Sequence, residues 1–361
     1  MNIWIDINHI AQYSFYKQFI LRVASEGHSM KLTVLNRGRL LDVVHTELEN
    51  VKGVSIFAIG KHKLTKFSAI VDVNLRRLPQ LWLWARKQKI DIAFSNGMQL
   101  AIVSHWLKIP NYSFDDDPQT LDFHPKVAFN TICHFCVYED PAILPPAKVL
   151  RCTKEWASLS PKYFSANPSS LCKYGVTPKQ YIFVREVSVG TINYAAQSKG
   201  TILSCKEQIQ QLTYLDGNGK ACPMKVIFSL EQKQDRHAYP ADWILLQEPV
   251  EDIHSLIYYS AGLVSSGDSM AREAALLGVP SYYLGIRYDM PANKAVSKVA
   301  NLQTQKTMPF EDWCKSINMP SQANAEQLQV AVRETIDKAF IDVNQYMHDL
   351  LQVPLDKNNR I

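Results

Sequence analysis

The stretch Leu263-Val264-Ser265-Ser266-Gly267-Asp268-Ser269-Met270-Ala271-Arg272-Glu273-Ala274-Ala275-Leu276-Leu277-Gly278-Val279-Pro280 reads as a strand, a tight turn, a helix and the approach to a second strand. Leu263 and Val264 form the strand and Gly267 centres the turn. Asp268 or Ser269 caps a helix running to Leu277, which Gly278 and Pro280 stop. The N–H groups of a helix's first turn have no intrahelical partners and carry partial positive charge, so such a turn suits phosphate or another anion. Glu273, one turn in, is placed to accept hydroxyl hydrogen bonds from a ribose, as the acidic residue of dinucleotide folds does. The plainer reading is an ordinary strand–helix–strand unit in which the serine and the glutamate are a cap and a solvated face.

Outward from this unit the alternation of short apolar runs and helical segments continues in both directions. Upstream, Asn2 to Ile7, Met30 to Leu35, Asp91 to Ser95 and Tyr112 to Phe114 read as strands, with helices at Ser14 to Glu26 and Met98 to Leu107. Nearer the opening stretch, strands are expected at Tyr181 to Val184, Lys225 to Leu230, Trp243 to Leu246 and Ser281 to Leu284. Helices are expected at Cys205 to Leu212 and Asp252 to Ser260. Strands separated by helices imply parallel sheets wound on both faces. A chain of 361 residues exceeds one ordinary core. We therefore expect an α/β protein of two Rossmann-like domains facing a central cleft: residues 1–150 as the N-terminal domain, 151–323 as the C-terminal domain, and 324–361 as a helical tail packing back on both. The Pro-, Ser- and Lys-rich stretch Pro145 through Ser170 marks the crossing.

Composition narrows the function classes. A net charge of +5 with 47% hydrophobic and 20% charged residues is that of an ordinary globular chain, and the total argues for no nucleic-acid partner. The start Met1-Asn2-Ile3-Trp4-Ile5-Asp6 lacks a leader pattern, and no run of 18 uncharged apolar residues occurs, so a cytoplasmic protein without a membrane span is expected. Seven cysteines without framework spacing fit reduced thiols. Cys133-His134-Phe135-Cys136 resembles half a zinc site but has no second pair at the right spacing, so no metal is expected.

The first loop, Asn8-His9-Ile10-Ala11-Gln12, lacks the glycines of a dinucleotide fingerprint, which disfavours a nicotinamide enzyme. Asp216-Gly217-Asn218-Gly219-Lys220 reads as a turn. Phe114-Asp115-Asp116-Asp117 follows a strand directly, and adjacent carboxylates raise one another's pKa, bind a cation or face water. Asp115, with Asp116 beside it, is the candidate general base, and His9 is the other. Ser269 also sits where a nucleophile elbow would put it, with Asp289 and His348 following in hydrolase order, although Ala271 replaces the usual glycine. From Lys61 to Lys89, eight basic residues stand against the single acid Asp72, interleaved with Phe67, Leu75, Leu78, Leu81, Trp82, Leu83 and Trp84. That is the composition of a surface segment touching anionic lipid, interrupted at Pro79.

Trp4-Ile5-Asp6, Glu26-Gly27-His28, Ile109-Pro110 through Asp116, Lys154-Glu155 and Ser266-Gly267 with Met270-Ala271-Arg272-Glu273-Ala274 together resemble a bacterial and archaeal family of unknown function. That family lies in the two-domain GT-B superfamily, which includes UDP-N-acetylglucosamine 2-epimerase and the lipid II-forming N-acetylglucosaminyltransferase. The resemblance spans roughly the first 300 residues. It implies a UDP-like nucleotide-sugar site in the C-terminal domain, built from Ser266, Gly267, Asp268, Ser269, Met270 and Arg272, with Glu273 on the ribose. It also implies transfer of the sugar to a saccharide or lipid-linked acceptor in surface-polysaccharide assembly, without a metal cofactor. Asp268 departs from the family's small residue, as Ala11 and Gln12 depart from its Pro and His. Where the epimerases carry Gly-Asp this chain has Gly97-Met98, which favours transfer over epimerisation; a nucleotide-sugar epimerase or hydrolase is the second class. A non-catalytic sugar-nucleotide-binding protein is the remaining alternative.

Overall fold

Two all-parallel sheets organise the chain. The computed structural model describes residues 1–61, 76–117, 131–137, 147–189, 196–247, 252–317 and 322–352. The chain divides into one unit of Met1–Ser158 with Phe340–Ile361 and a second of Leu159–Ala339. The first unit's strands are β1 (Asn2–Ile7), β2 (Ser29–Asn36), β3 (Val54–Lys61), β4 (Ile92–Ser95), β5 (Asn111–Asp115), β6 (Thr131–Phe135) and β7 (Lys148–Val149). They lie in the order β3-β2-β1-β4-β5-β6-β7. The second unit carries β8 (Tyr181–Glu186), a hairpin of β9 (Thr213–Leu215) and β10 (Ala221–Pro223), then β11 (Lys225–Leu230), β12 (Ile244–Leu245), β13 (Gly262–Ser265), β14 (Ser281–Tyr283) and β15 (Leu302–Thr304). Its sheet runs β12-β11-β8-β13-β14-β15. The turn at Asp216 to Lys220 closes the hairpin, with Gly219 at φ +76.

Helices on both faces make the central strands apolar on both sides, so Ile3, Trp4, Ile5 and Ile7 are fully buried, as are Tyr181, Ile182, Phe183 and Val184. In each sheet the order reverses beside the first strand. Asp6 pairs with Ser95 across β1 and β4, and Arg185 pairs with Ser265 across β8 and β13. The crevice outside the carboxyl ends at such a reversal is where ligands bind in this class of sheet. The loop at His9 leaves from the reversal of the first sheet, and the loop at Ser266 to Ser269 from that of the second.

Two sequence expectations are refined. Of the basic segment, residues 62–75 lie outside the described residues. Arg77 faces inward: 1% exposed, it clamps the fully buried Asp6 with two hydrogen bonds, of 2.6 and 3.1 Å. Its Nε donates to the Ile59 carbonyl at 3.0 Å, and Thr33 adds a hydroxyl to Asp6 at 2.6 Å. A carboxylate buried at the end of β1 requires such a partner. Gly60 leaves the room, since a Cβ there would meet the Arg77 side chain at 2.8 Å. The helical tail consists of two helices, one in each unit. Gln322–Ala339 belongs to the second unit, where Gln329 bonds to the Leu277 and Tyr258 carbonyls. Val343–Leu350 belongs to the first, burying Val343 and Met347 in its core. Asp342 caps the second helix by accepting from Asn344 and Gln345, which fixes the break.

Candidate functional site

In the second unit the turn after β13 is a set of short ties. Ser265 Oγ donates to the Gly267 carbonyl at 2.7 Å and accepts from Gly267 N at 3.0 Å. Ser266, fully buried, accepts from Val187 N at 2.9 Å and so joins the ends of β13 and β8. Gly285 lets the next loop approach, because a Cβ there would meet the Ser266 carbonyl at 2.6 Å. Gly267 is the N-cap of the Asp268–Leu276 helix, in extended conformation and without a side-chain cap. The expectation that Asp268 or Ser269 caps is therefore corrected: Asp268 is the first helical residue, and its carboxylate turns toward two guanidinium groups. Arg272 lies 3.5 Å away and Arg287 3.3 Å.

Arg272 is one helical turn on from Asp268, but Arg287 comes from the loop after β14. Its N–H donates to the Tyr283 hydroxyl at 3.0 Å, and its carbonyl accepts from Asn293 at 2.7 Å. The other end of Asn293 accepts from Arg272 at 2.8 Å. Two guanidiniums stand against the Asp268 carboxylate and offset its charge, at the helix end that the dipole makes positive. Asp268 thus does not make the turn repel an anion. Ser269, Met270 and Glu273 stay half-buried on one side of the helix while Asp268, Ala271 and Arg272 are buried. Glu273 Oε2 lies 3.4 Å from His254 Nε2. His254 stands in the first turn of the Ile253–Tyr259 helix, which Asp252 caps.

The turn after β8 is differently used. Glu186 closes that strand, 4% exposed, and accepts from Ile202 N at 2.7 Å and the Tyr239 hydroxyl at 3.0 Å. Burial pushes its carboxyl above the usual range, against hydrogen bonds from Ser266, Ile202 and Tyr239. An internal carboxylate already meets a backbone donor there, which leaves the Gly267 turn as the better anion position of the two.

In the first unit, Asp115 ends β5 and is 6% exposed. It accepts from Asp116 N at 2.8 Å and Asp117 N at 3.2 Å, with Lys154 Nζ at 3.5 Å. The same ammonium sits 2.5 Å from Asp116. Burial lifts the Asp115 pKa to about 6, Lys154 opposing and Asp116 assisting. Burial would lower Lys154, but Asp116 and Asp115 hold its ammonium well above the ordinary range. The cluster is a carboxylate that titrates just below neutrality beside a permanent counter-ion. His9 is exposed and caps the Ile10–Ser25 helix, its Nδ1 accepting from Ala11 N at 3.2 Å. Gln12 folds back to accept from Asn8 N at 2.7 Å.

Other sequence candidates go elsewhere. Asp289 is held by Lys306 at 2.8 Å, and His348 bonds Glu26 at 2.8 Å, so neither is spent on a Ser269 triad. His134 stacks on Phe114 at 4.5 Å and meets the Tyr346 hydroxyl at 3.0 Å. Among the described residues no group of three or more His, Cys, Asp or Glu gathers to hold a metal, and no helix is long and apolar enough to cross a membrane. Lys154 entered the sequence reading only through the resemblance. His254 and Arg287 did not enter as site residues, because neither lies at a motif spacing from its partner.

No protein-family model matches the chain, and no curated protein matches it. Solved structures do, along essentially the whole length. A Listeria monocytogenes protein assigned as a UDP-N-acetylglucosamine 2-epimerase aligns over 100% of this chain and 98% of its own at TM-score 0.68 and 9% identity. The spinosyn rhamnosyltransferase SpnG, complexed with thymidine diphosphate, aligns over 97% and 100% at 0.61 and 10%. Acinetobacter baumannii MurG aligns over 97% and 99% at 0.52 and 13%. The fold is that of the GT-B enzymes: two Rossmann-like halves with parallel sheets.

Proposed function

We propose that the chain is a GT-B-type glycosyltransferase that moves a sugar from a UDP-like nucleotide donor to a saccharide or lipid-linked acceptor in surface-polysaccharide or glycoconjugate assembly. The observation that carries the reading is the Asp268–Leu276 helix start. It combines the first-turn N–H groups of a helix without a side-chain cap, two guanidiniums around Asp268 and a half-buried Ser269, Met270 and Glu273 face on a single turn. In this reading the diphosphate lies against the first-turn N–H groups and Arg287, and Glu273, oriented by His254, accepts from the ribose hydroxyls. Ser266, Gly267, Asp268 and Arg272 hold the turn in shape. As the sugar–phosphate bond breaks, charge grows on the leaving diphosphate, where these fixed dipoles and cations stabilise it.

Asp115 takes the proton of the acceptor hydroxyl. Its pKa of about 6 leaves it ionised at neutral pH yet basic enough to share a proton in the transition state. The Lys154 ammonium, 2.5 Å from Asp116, holds that carboxylate in place beside Asp115 and opposes the rise of the Asp115 pKa. No step draws on a divalent metal, so turnover persists in chelator.

Nucleotide-sugar epimerisation is the second reading, favoured by the alignment with the Listeria protein. Met98, where the epimerases carry an acid, speaks for transfer. Calorimetric titration with UDP, GDP, CDP and thymidine diphosphate and their sugars tests the donor site. One nucleotide should bind saturably to the wild-type protein and about tenfold or more weakly to Glu273→Ala, the loss of hydrogen bonds to a charged acceptor. Absence of binding by every nucleotide, or unchanged affinity in the variant, defeats the ribose assignment. Product analysis with donor alone then separates the two chemistries, because only an epimerase or hydrolase turns over without an acceptor.

A further inference from the structure

The helices Leu78–Ala85 and Met98–Leu107 pack together in the first unit, burying Leu81, Ala85, Leu100 and Val103 in one cluster around Trp4. The aromatic run of the first helix divides there. Trp84 turns inward, 5.0 Å from Phe57 and 5.5 Å from Trp4, and so belongs to the core. Trp82 lies on the other flank, with the Arg86 guanidinium stacked over its ring at 4.7 Å. Outward from the same pair stand Leu83, 49% exposed, and Trp106, 54% exposed. Trp106 is three residues on from Val103, and so one turn along the flank that meets the Leu78–Ala85 helix.

The charges these two segments carry share one sign, up to the exposed Asp91, whose carboxylate accepts from Asn2 N at 2.7 Å. Arg86, Lys87, Lys89 and Lys108 are all exposed, and the segments 76–90 and 98–109 contain no Asp or Glu. Exposed indole and leucyl side chains are costly in water but favourable at the level of lipid headgroups, where indole prefers to sit. Lysine and arginine beside them are drawn to an anionic surface. Protruding indole and leucyl side chains ringed by lysine and arginine match the layered chemistry of an anionic bilayer, apolar beneath charged headgroups.

We propose that this two-helix face docks on an anionic lipid bilayer, with Trp106 and Leu83 entering the interface and Arg86, Lys87, Lys89 and Lys108 meeting the headgroups. The face differs from the one the sequence pattern pointed to: Arg77, Leu81 and Trp84 drop out of it, and Trp106 and Lys108, from a helix outside that segment, join it. The proposal does not depend on the nucleotide-sugar reading, so a failed nucleotide screen leaves it standing.

Flotation of the full-length protein with phosphatidylcholine vesicles, with and without phosphatidylglycerol, tests it. The protein should float with the anionic vesicles only, and added salt should release it. Leu83→Ser with Trp106→Ser should weaken binding about tenfold or more. Lys87→Glu with Lys89→Glu should weaken it about fivefold or more per residue. Thermal melting should be unchanged for the lysine pair, which keeps the test independent of any folding defect in the apolar pair. Failure to float with anionic vesicles overturns the proposal, as does binding that both double variants leave intact. Binding to heparin without binding to vesicles also overturns it, by assigning the face to a soluble polyanion.

Discussion

Replacing Asp115 with Asn should make the protein more stable at neutral pH while disabling it. The carboxyl is 6% exposed and its pKa stands at about 6, burial being the main cause. Moving from the ordinary 3.8 to that value costs the ionised form about 3 kcal/mol. The sign follows from proton linkage: a folded pKa raised above the unfolded one gives stability that is full below about 3.8 and lost as pH rises through about 6. Asparagine removes the charge and keeps an oxygen for the Asp116 and Asp117 amides, but sets an amide group near Lys154. We therefore expect about 1–2 kcal/mol of the cost to be recovered at about pH 7.5, and the gain to vanish toward pH 4. Urea unfolding followed by tryptophan fluorescence across that range measures it. Transfer activity should fall by about 10²–10⁴, the ordinary contribution of a general base. A variant less stable than the wild type at neutral pH, or a stability difference that does not vary with pH, refutes the reasoning.

Lys154→Met should move the acid limb of the pH–rate profile upward and Asp116→Asn should move it downward, because the ammonium opposes and the second carboxylate assists the shift of Asp115; the midpoint belongs to the cluster as a whole. Asp268→Asn should tighten diphosphate binding and Arg287→Ala should loosen it by about tenfold, read by calorimetry, since one change removes a competing anion and the other a cation. Arg77→Met should cost about 3–5 kcal/mol in urea unfolding by stranding the buried Asp6, and adding Asp6→Asn should recover part of that loss. Burial holds His134 neutral, its pKa down to about 4, so stability should be lost as pH falls from about 6.5 through about 4; His134→Phe should flatten that dependence in melts at the two extremes.

The strands were legible because parallel sheets covered on both faces leave apolar runs, as at Ile3 to Ile5 and Tyr181 to Val184, and the helix at Met98 to Leu107 agreed at both ends. Where the helical tail breaks was not legible, because the apolar period carries on through Phe340 and Ile341 and only the Asp342 cap marks the break. Within the basic segment, Arg77 is a different case: composition counts it as surface charge, while its burial depends on an acid seventy-one residues away on β1. Long-range pairing of that kind leaves no periodic trace.

The same limit governs both candidate sites, and it explains how Asp268 departs from the family's small residue without undoing the turn. Taken locally, an acid at a helix start opposes an anion's approach, and the sequence offers only Arg272, at helical spacing, to offset it. The second offset, Arg287, depends on a loop whose backbone is held by Tyr283 and Asn293, and Asn293 also holds Arg272. Asp115 and Asp116 likewise sit beside a lysine thirty-nine residues on from Asp115. In each case the carboxylates the sequence shows are tuned by cations that only the sheet order brings to them. The chemistry is thus read from the acids and its working pH from their partners.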